Sequence, residues 1–190
     1  MTETEIQRHN SLYTRGWDLA RPHMILAGSR GRPRPGLFVR WRLRKAIRCF
    51  NEALALSSDN WSALWALGKI HQTLGDPATA LDCFSRAHAL NPSHADIARE
   101  AGAVAMDMGN AEEALRYCRI ALELKPQDPG LLANLALAQL IGGRIQEASD
   151  SASEAVSLDP SDAVSKGVLK LIQDVAAGRR AQPRTLRDVE

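Results

Sequence analysis

Apolar and small residues return along this chain at helical spacing, and the helical segments themselves return every 34 positions. Ala46, Ala80, Ala114 and Ala148 share that interval, and Ala53, Ala87, Ala121 and Ala155 follow them seven residues later. Gly75, Gly109 and Gly143 keep the same period, as do the triplets Leu90-Asn91-Pro92, Leu124-Lys125-Pro126 and Leu158-Asp159-Pro160. Within one period, Leu64, Leu67, Gly68 and His71 fall on one helical stripe, and Ala80, Leu81, Phe84 and Ala87 fall on another. Two amphipathic helices facing each other are the expected unit. The glycines stand where the first helix stops and the chain turns, and each Leu-x-Pro ends the second helix, because proline cannot donate an interior helical hydrogen bond. Such a unit cannot bury its apolar face alone, so stability requires stacking and a covered end.

At this point the chain resembles the tetratricopeptide repeat family, whose pattern runs W-x2-L-G-x2-Y, then A-x3-F, a further small residue and Pro. Residues 61–94 match it at Leu67-Gly68, Ala80, Phe84, Ala87 and Pro92, with Leu64 in place of the Trp and His71 in place of the Tyr. Residues 95–128 keep Gly102, Ala114, Ala121 and Pro126, and residues 129–162 keep Leu135, Ala148, Ala155 and Pro160. The resemblance implies an all-α fold, a right-handed α-α superhelix or TPR solenoid.

Outside the three repeats, residues 163–178 place Val164, Val168, Leu171, Ile172 and Val175 on one stripe, which predicts a capping helix. Residues 179–190 carry no stripe and are expected to form a flexible tail. Backwards, the register puts Leu43, Ala46, Ile47, Phe50 and Ala53 on the second helix of a degenerate first repeat within residues 1–60. Its first helix is placed within residues 4–28, including Tyr13, Trp17 and Leu19. It is separated from its partner by a Pro/Gly insertion at 29–36, and Arg21-Pro22 kinks or ends it.

Charge changes the picture at the front of the chain. The net charge is +2, but residues 1–60 hold 11 Lys/Arg against 5 Asp/Glu, residues 61–162 hold 7 against 14, and residues 163–190 hold 6 against 3. No carboxylate lies between Asp18 and Glu52. The bland account of this basic run is a solvated helix face and loop. The sharper one is an anion or nucleic-acid site at 30–48, in which Arg30, Arg32, Arg34, Arg40, Arg42 and Arg44 contact the anion and Phe38 or Trp41 stacks. The acidic middle disfavours nucleic acid. Self-association of the basic front with the acidic middle of another copy is a further option.

Candidate ligand contacts follow from the resemblance, because the family binds extended peptides or helices along the first helix of each repeat. The stripe beside the helix pair reads Ser62, Trp65, Lys69, Gln72, then Asp96, Arg99, Ala103, Met106, then Gly130, Ala133, Leu137, Leu140, and it is expected to be exposed. Trp65, Lys69, Arg99, Asn134 and Leu137 are the partner-binding candidates. Trp65 either anchors a partner or packs under the first repeat. Asn134 stands where an inward-facing Asn of the family commonly hydrogen-bonds a ligand backbone. With only Lys69, Arg99 and Asn134 available, and Glu100 and Asp107 intruding, a clamp for chaperone C-terminal carboxylates is not expected.

The composition excludes other classes of function. His9, His23, His71, His88 and His94 show no paired metal-ligand spacing, and Cys49, Cys83 and Cys118 form no CxxC pair. No enzymatic activity, cofactor or metal is expected, and the odd cysteine count suits a reducing compartment. The polar opening MTETEIQRHN lacks an apolar signal core, and no run approaches eighteen apolar residues. The expectation is a cytoplasmic protein with a protein or peptide partner and no membrane partner.

Overall fold

The computed structural model describes residues 1–24 and 35–189. Regular structure among the described residues is helical throughout, with nine α-helices, two short 3-10 helices and no strand. The helices pack as antiparallel pairs. They fall into two compact units, 1–91 and 92–190.

The first unit holds α1 (Glu3–Ala20), α2 (Leu37–Leu56), α3 (Trp61–Leu74) and α4 (Pro77–Leu90). Helix α1 starts with a capping box, in which the Thr2 hydroxyl accepts from the Glu5 amide and the Glu5 carboxylate accepts from the Thr2 amide. A 3-10 turn at Arg21–His23, with Pro at its start, follows the end of α1. Helices α1 and α2 form one pair and α3 and α4 the next. Leu43, Ala46 and Phe50 of α2 join Ala63, Ala66, Leu67 and Ile70 of α3 in one core.

The second unit holds α5 (Ala95–Asp107), α6 (Ala111–Leu124), α7 (Pro129–Ile141), α8 (Ile145–Leu158) and α9 (Ala163–Ala176). Its core gathers Met106, Leu115, Cys118, Leu137, Leu140, Val168, Leu171 and Ile172. Helix α9 packs on both α7 and α8. Val168, Leu171, Ile172 and Val175 of its apolar stripe therefore cover the last helix pair of this unit, while Val164, expected on the same stripe, is 53% exposed.

Local signals explain the helix ends. Gly75 closes α3 at φ 81°, with Gly109 and Gly143 at φ 72° and 78° in the two later turns, a conformation that an L side chain resists. Asn60, Asp76, Asn110, Asp128 and Asp162 each accept a hydrogen bond from the first turn of the helix that follows. The Asp162 carboxylate takes the amides of Val164 and Ser165 at 3.1 and 3.0 Å. The Ser165 hydroxyl, followed by these amides, holds that carboxyl below the usual carboxylate range. Asp162→Ala is expected to destabilise α9 by about 1 kcal/mol at neutral pH. Because the folded-state pKa is depressed, this contribution is present above the ordinary carboxylate pKa and is lost as pH falls through the folded value. Thermal melts of the two proteins should therefore converge on acidification, and a constant gap would argue against a charged cap.

In the first three hairpins a glycine stands opposite a larger side chain. A Cβ on Gly68 would lie 2.6 Å from the Phe84 ring, one on Gly16 would lie 2.9 Å from the Phe50 ring, and one on Gly102 would lie 3.2 Å from Cys118 Sγ. Ala136 and Ala152, both fully buried, occupy the corresponding positions in the last pair. Gly16 therefore plays in α1 the part that Gly68 plays in α3.

Residues 179–189, expected as a free tail, instead carry a set of contacts within the second unit. Pro183 is buried, and Leu186 and Val189 pack against the core. The Arg180 guanidinium donates to the carbonyls of Asp188 and Val189 at 2.9 and 3.1 Å. The Asp188 carboxylate in turn accepts from the amides of Arg184 and Thr185. The Arg184 carbonyl comes so near Gly109 that a Cβ there would meet it at 3.1 Å. Pro183, Leu186 and Val189 stand three residues apart, but a run this short that opens on a proline makes no amphipathic helix, which is why periodicity does not reveal this packing.

Candidate interaction surfaces

In the first unit, the part of α3 that carries Ser62 and Trp65 meets α1. Tyr13 Oη and Ser62 Oγ share a hydrogen bond of 2.7 Å, and His9 Nε2 and Asn60 Nδ2 lie 3.2 Å apart. Trp65 stacks on Trp17 with centroids 6.1 Å apart and planes 28° apart. The edges of Tyr13 and Trp17 meet Phe50 at 6.0 Å. Trp65 is thus half-buried and belongs to an aromatic cluster that ties α1, α2 and α3 together. Its indole Nε1 is sealed from solvent with no hydrogen-bond partner among the described residues, as is Gln72 Oε1. Lys69, expected on an exposed stripe, is only 2% exposed. With α1, α2 and α4 all packed on α3, little of its circumference remains open.

The second unit departs from the exposed stripe in the same way. Leu137 and Leu140 are fully buried and Ala133 is 2% exposed. Helix α7 is contacted by α5, α6, α8 and α9, which leaves Leu137 in the core rather than in a groove. Arg99, 31% exposed, lies 3.0 Å from Asp96 and 3.3 Å from Glu100, and Lys125 reaches the same Asp96 at 3.8 Å. Its charge is therefore answered within its own helix. Asn134 is half-buried, and its amide makes no hydrogen bond to any described residue. Of the five predicted contacts, Arg99 and Asn134 on the packed helices α5 and α7 retain accessible polar groups, and Trp65 retains part of its ring.

The basic run resolves into separate roles. Arg30, Arg32 and Arg34 lie outside the described residues. Arg42 donates to the carbonyl of Asp18 at 3.2 Å, in the last turn of α1, where the helix dipole favours a cation. Arg40 is half-buried and Arg44 is exposed. Beside them, Leu37 stands exposed at the start of α2, Phe38 and Trp41 stack at 6.1 Å, and Lys45 Nζ sits 3.8 Å from the Trp41 centroid.

The residues with nucleophilic or acid-base chemistry serve packing. All three cysteines are free and buried. Burial pushes the Cys83 thiol up to about 11 and the Cys118 thiol up to about 12, so neither offers a thiolate near neutral pH. His71 Nδ1 lies 3.2 Å from Asp76, whose carboxyl is lowered mainly by the Thr79 hydroxyl and amide while it caps α4.

A family model for the tetratricopeptide repeat matches residues 41–95, 66–129 and 101–163, in the register set out above. The chain is a member of the tetratricopeptide repeat family. Among solved structures, this TPR protein is similar to MamA 41-end from Desulfovibrio magneticus RS-1, at 19% identity and a TM-score of 0.73, over 90% of this chain and 86% of that one. It is similar to YrrB, described as a TPR protein with an unusual peptide-binding site, at 20% identity and a TM-score of 0.64, over 80% and 79% of the two chains. The first TPR of Spaghetti (RPAP3), bound to the HSP90 peptide SRMEEVD, is similar at 16% identity and a TM-score of 0.58, over 64% and 96%. At these identities the likeness is one of fold. No curated protein matches the sequence.

Proposed function

We propose that this TPR protein is a non-catalytic interaction scaffold that holds an extended peptide or a helix of a partner protein along the first helices of its repeats. The observation that carries this reading is Asn134, a half-buried amide on α7 with no hydrogen-bond partner among the described residues. Its amide atoms are not among the sealed polar atoms, so they are open to pair with a ligand backbone as both donor and acceptor. Arg99, on the neighbouring α5, adds a cationic contact at the same end of the second unit's helix pairs. Trp65 offers part of a ring in the first unit, while Lys69 and Leu137 serve as packing residues. Peptides bound by fold relatives such as RPAP3 support the same reading.

Peptides selected from a displayed random library against the full chain provide the test. Asn134→Ala is expected to weaken the selected peptides at least tenfold, or about 1.4 kcal/mol, with unchanged helical circular dichroism. Arg99→Ala should cost less, because its guanidinium is already paired with Asp96 and Glu100. For the same reason, SRMEEVD is expected to show no saturable binding. Equal affinity of wild type and Asn134→Ala for every selected peptide would rule out this surface.

A further inference from the structure

The amino-terminal end of α2 presents an apolar protrusion that no described element covers. Leu37 is 88% exposed, Phe38 66% and Trp41 50%, whereas Leu43, Ala46 and Phe50 of the same helix are fully buried. At 100° per residue, Leu37, Trp41, Arg44 and Arg48 share the side of α2 opposite that buried face. The outer face thus begins as an apolar wedge and continues as a cationic band.

The charge of this band is uncompensated. Arg40, Arg44 and Arg48 make no ion pair among the described residues, and no carboxylate lies in the sequence between Asp18 and Glu52. Lys45 lies over the Trp41 ring rather than against a carboxylate. An anionic surface is therefore the electrostatic complement of this face.

The apolar part decides which anionic surface fits. Single-stranded nucleic acid needs open ring faces for its bases, but Lys45 covers one face of Trp41 and Phe38 is already stacked against that ring. The most exposed residue, Leu37, offers no stacking at all. A convex wedge of Leu, Phe and Trp backed by Arg and Lys suits the boundary between headgroups and acyl chains, where apolar tips insert and basic groups meet phosphates. Peripheral contact of this kind needs no spanning segment, and no helix among the described residues is long and apolar enough to cross a membrane.

We propose that the amino-terminal end of α2, through Leu37, Phe38, Trp41 and the cations Arg44 and Arg48, docks the protein on an anionic lipid bilayer. This inference is independent of the peptide surface around Asn134. Each basic residue near such a surface contributes roughly fivefold to partitioning.

The test is co-sedimentation of the full chain with vesicles of phosphatidylcholine containing about 30% phosphatidylserine. Wild type is expected to partition onto them at low salt, to be released at high salt, and to ignore pure phosphatidylcholine. Arg44→Glu/Arg48→Glu and Phe38→Ala/Trp41→Ala should each lower partitioning at least tenfold with unchanged thermal melts. A second readout does not depend on loss of binding. Brominated phospholipid should quench the tryptophan fluorescence of wild type, while Trp41→Phe should bind the same vesicles with much less quenching. Wild type that stays in solution with anionic vesicles overturns the proposal, including when it binds an oligonucleotide or an acidic peptide instead. So does quenching that is equal in wild type and Trp41→Phe.

Discussion

Phe50→Ala is expected to destabilise the first unit by about 3–5 kcal/mol, the range found when a buried aromatic ring is removed from a core that cannot collapse around the gap. Phe50 is fully buried, sits in the space that Gly16 leaves open in α1, and meets the edges of both Tyr13 and Trp17. Truncation would empty the centre of the contact between α1 and α2 and loosen the aromatic cluster that reaches Trp65 through Trp17. Chemical denaturation followed by tryptophan fluorescence measures the loss. Phe38→Ala, removing an exposed ring of the same helix, supplies the control and should stay within about 0.5 kcal/mol. Similar effects for the two substitutions would mean that α1 is not held by this cluster.

The second large effect is expected at Gly68. An added Cβ would fall 2.6 Å from the Phe84 ring, inside van der Waals contact, and Phe84 is itself fully buried with no room to step aside. Gly68→Ala should therefore cost about 1–3 kcal/mol despite the higher helix propensity of alanine. If the cost comes from the ring, a smaller residue opposite should relieve it. The double variant Gly68→Ala/Phe84→Leu is expected to be more stable than the sum of the single changes by about 1 kcal/mol. Strict additivity in that cycle would place the cost of Gly68→Ala elsewhere.

The 34-residue period made the three central hairpins, their glycine turns and their proline stops legible, because helix pairing and turn chemistry are local in sequence. The same period did not carry back to Gly16. The longer connection between α1 and α2 shifts the first helix out of register, and the facing Phe50 was the one signal for it. Packing of Trp65 under the first repeat was one of the two readings its place allowed, but burial of the rest of the predicted ligand stripe was not legible, for a different reason. Spacing tells which side chains share a face of a helix, but not which neighbour lies on that face. Trp65 and Ser62 meet α1, and Leu137 is enclosed by four helices. Arg42 shows the same limit among the charges, since its partner is a backbone carbonyl 24 positions away that no side-chain pattern marks. Asn134 was singled out by its residue type and its place in the repeat, and the proposed peptide surface rests on it.

The facing residues at the hairpin crossings run from glycine against phenylalanine, through glycine against cysteine, to alanine against alanine along the chain. Each seam is therefore cut to its own gauge. Because both members of each pair lie in one hairpin, a whole hairpin carries its own fit with it, whereas a single helix exchanged between hairpins would meet a mismatched partner, so the helix pair rather than the helix is the unit that can be moved in this protein.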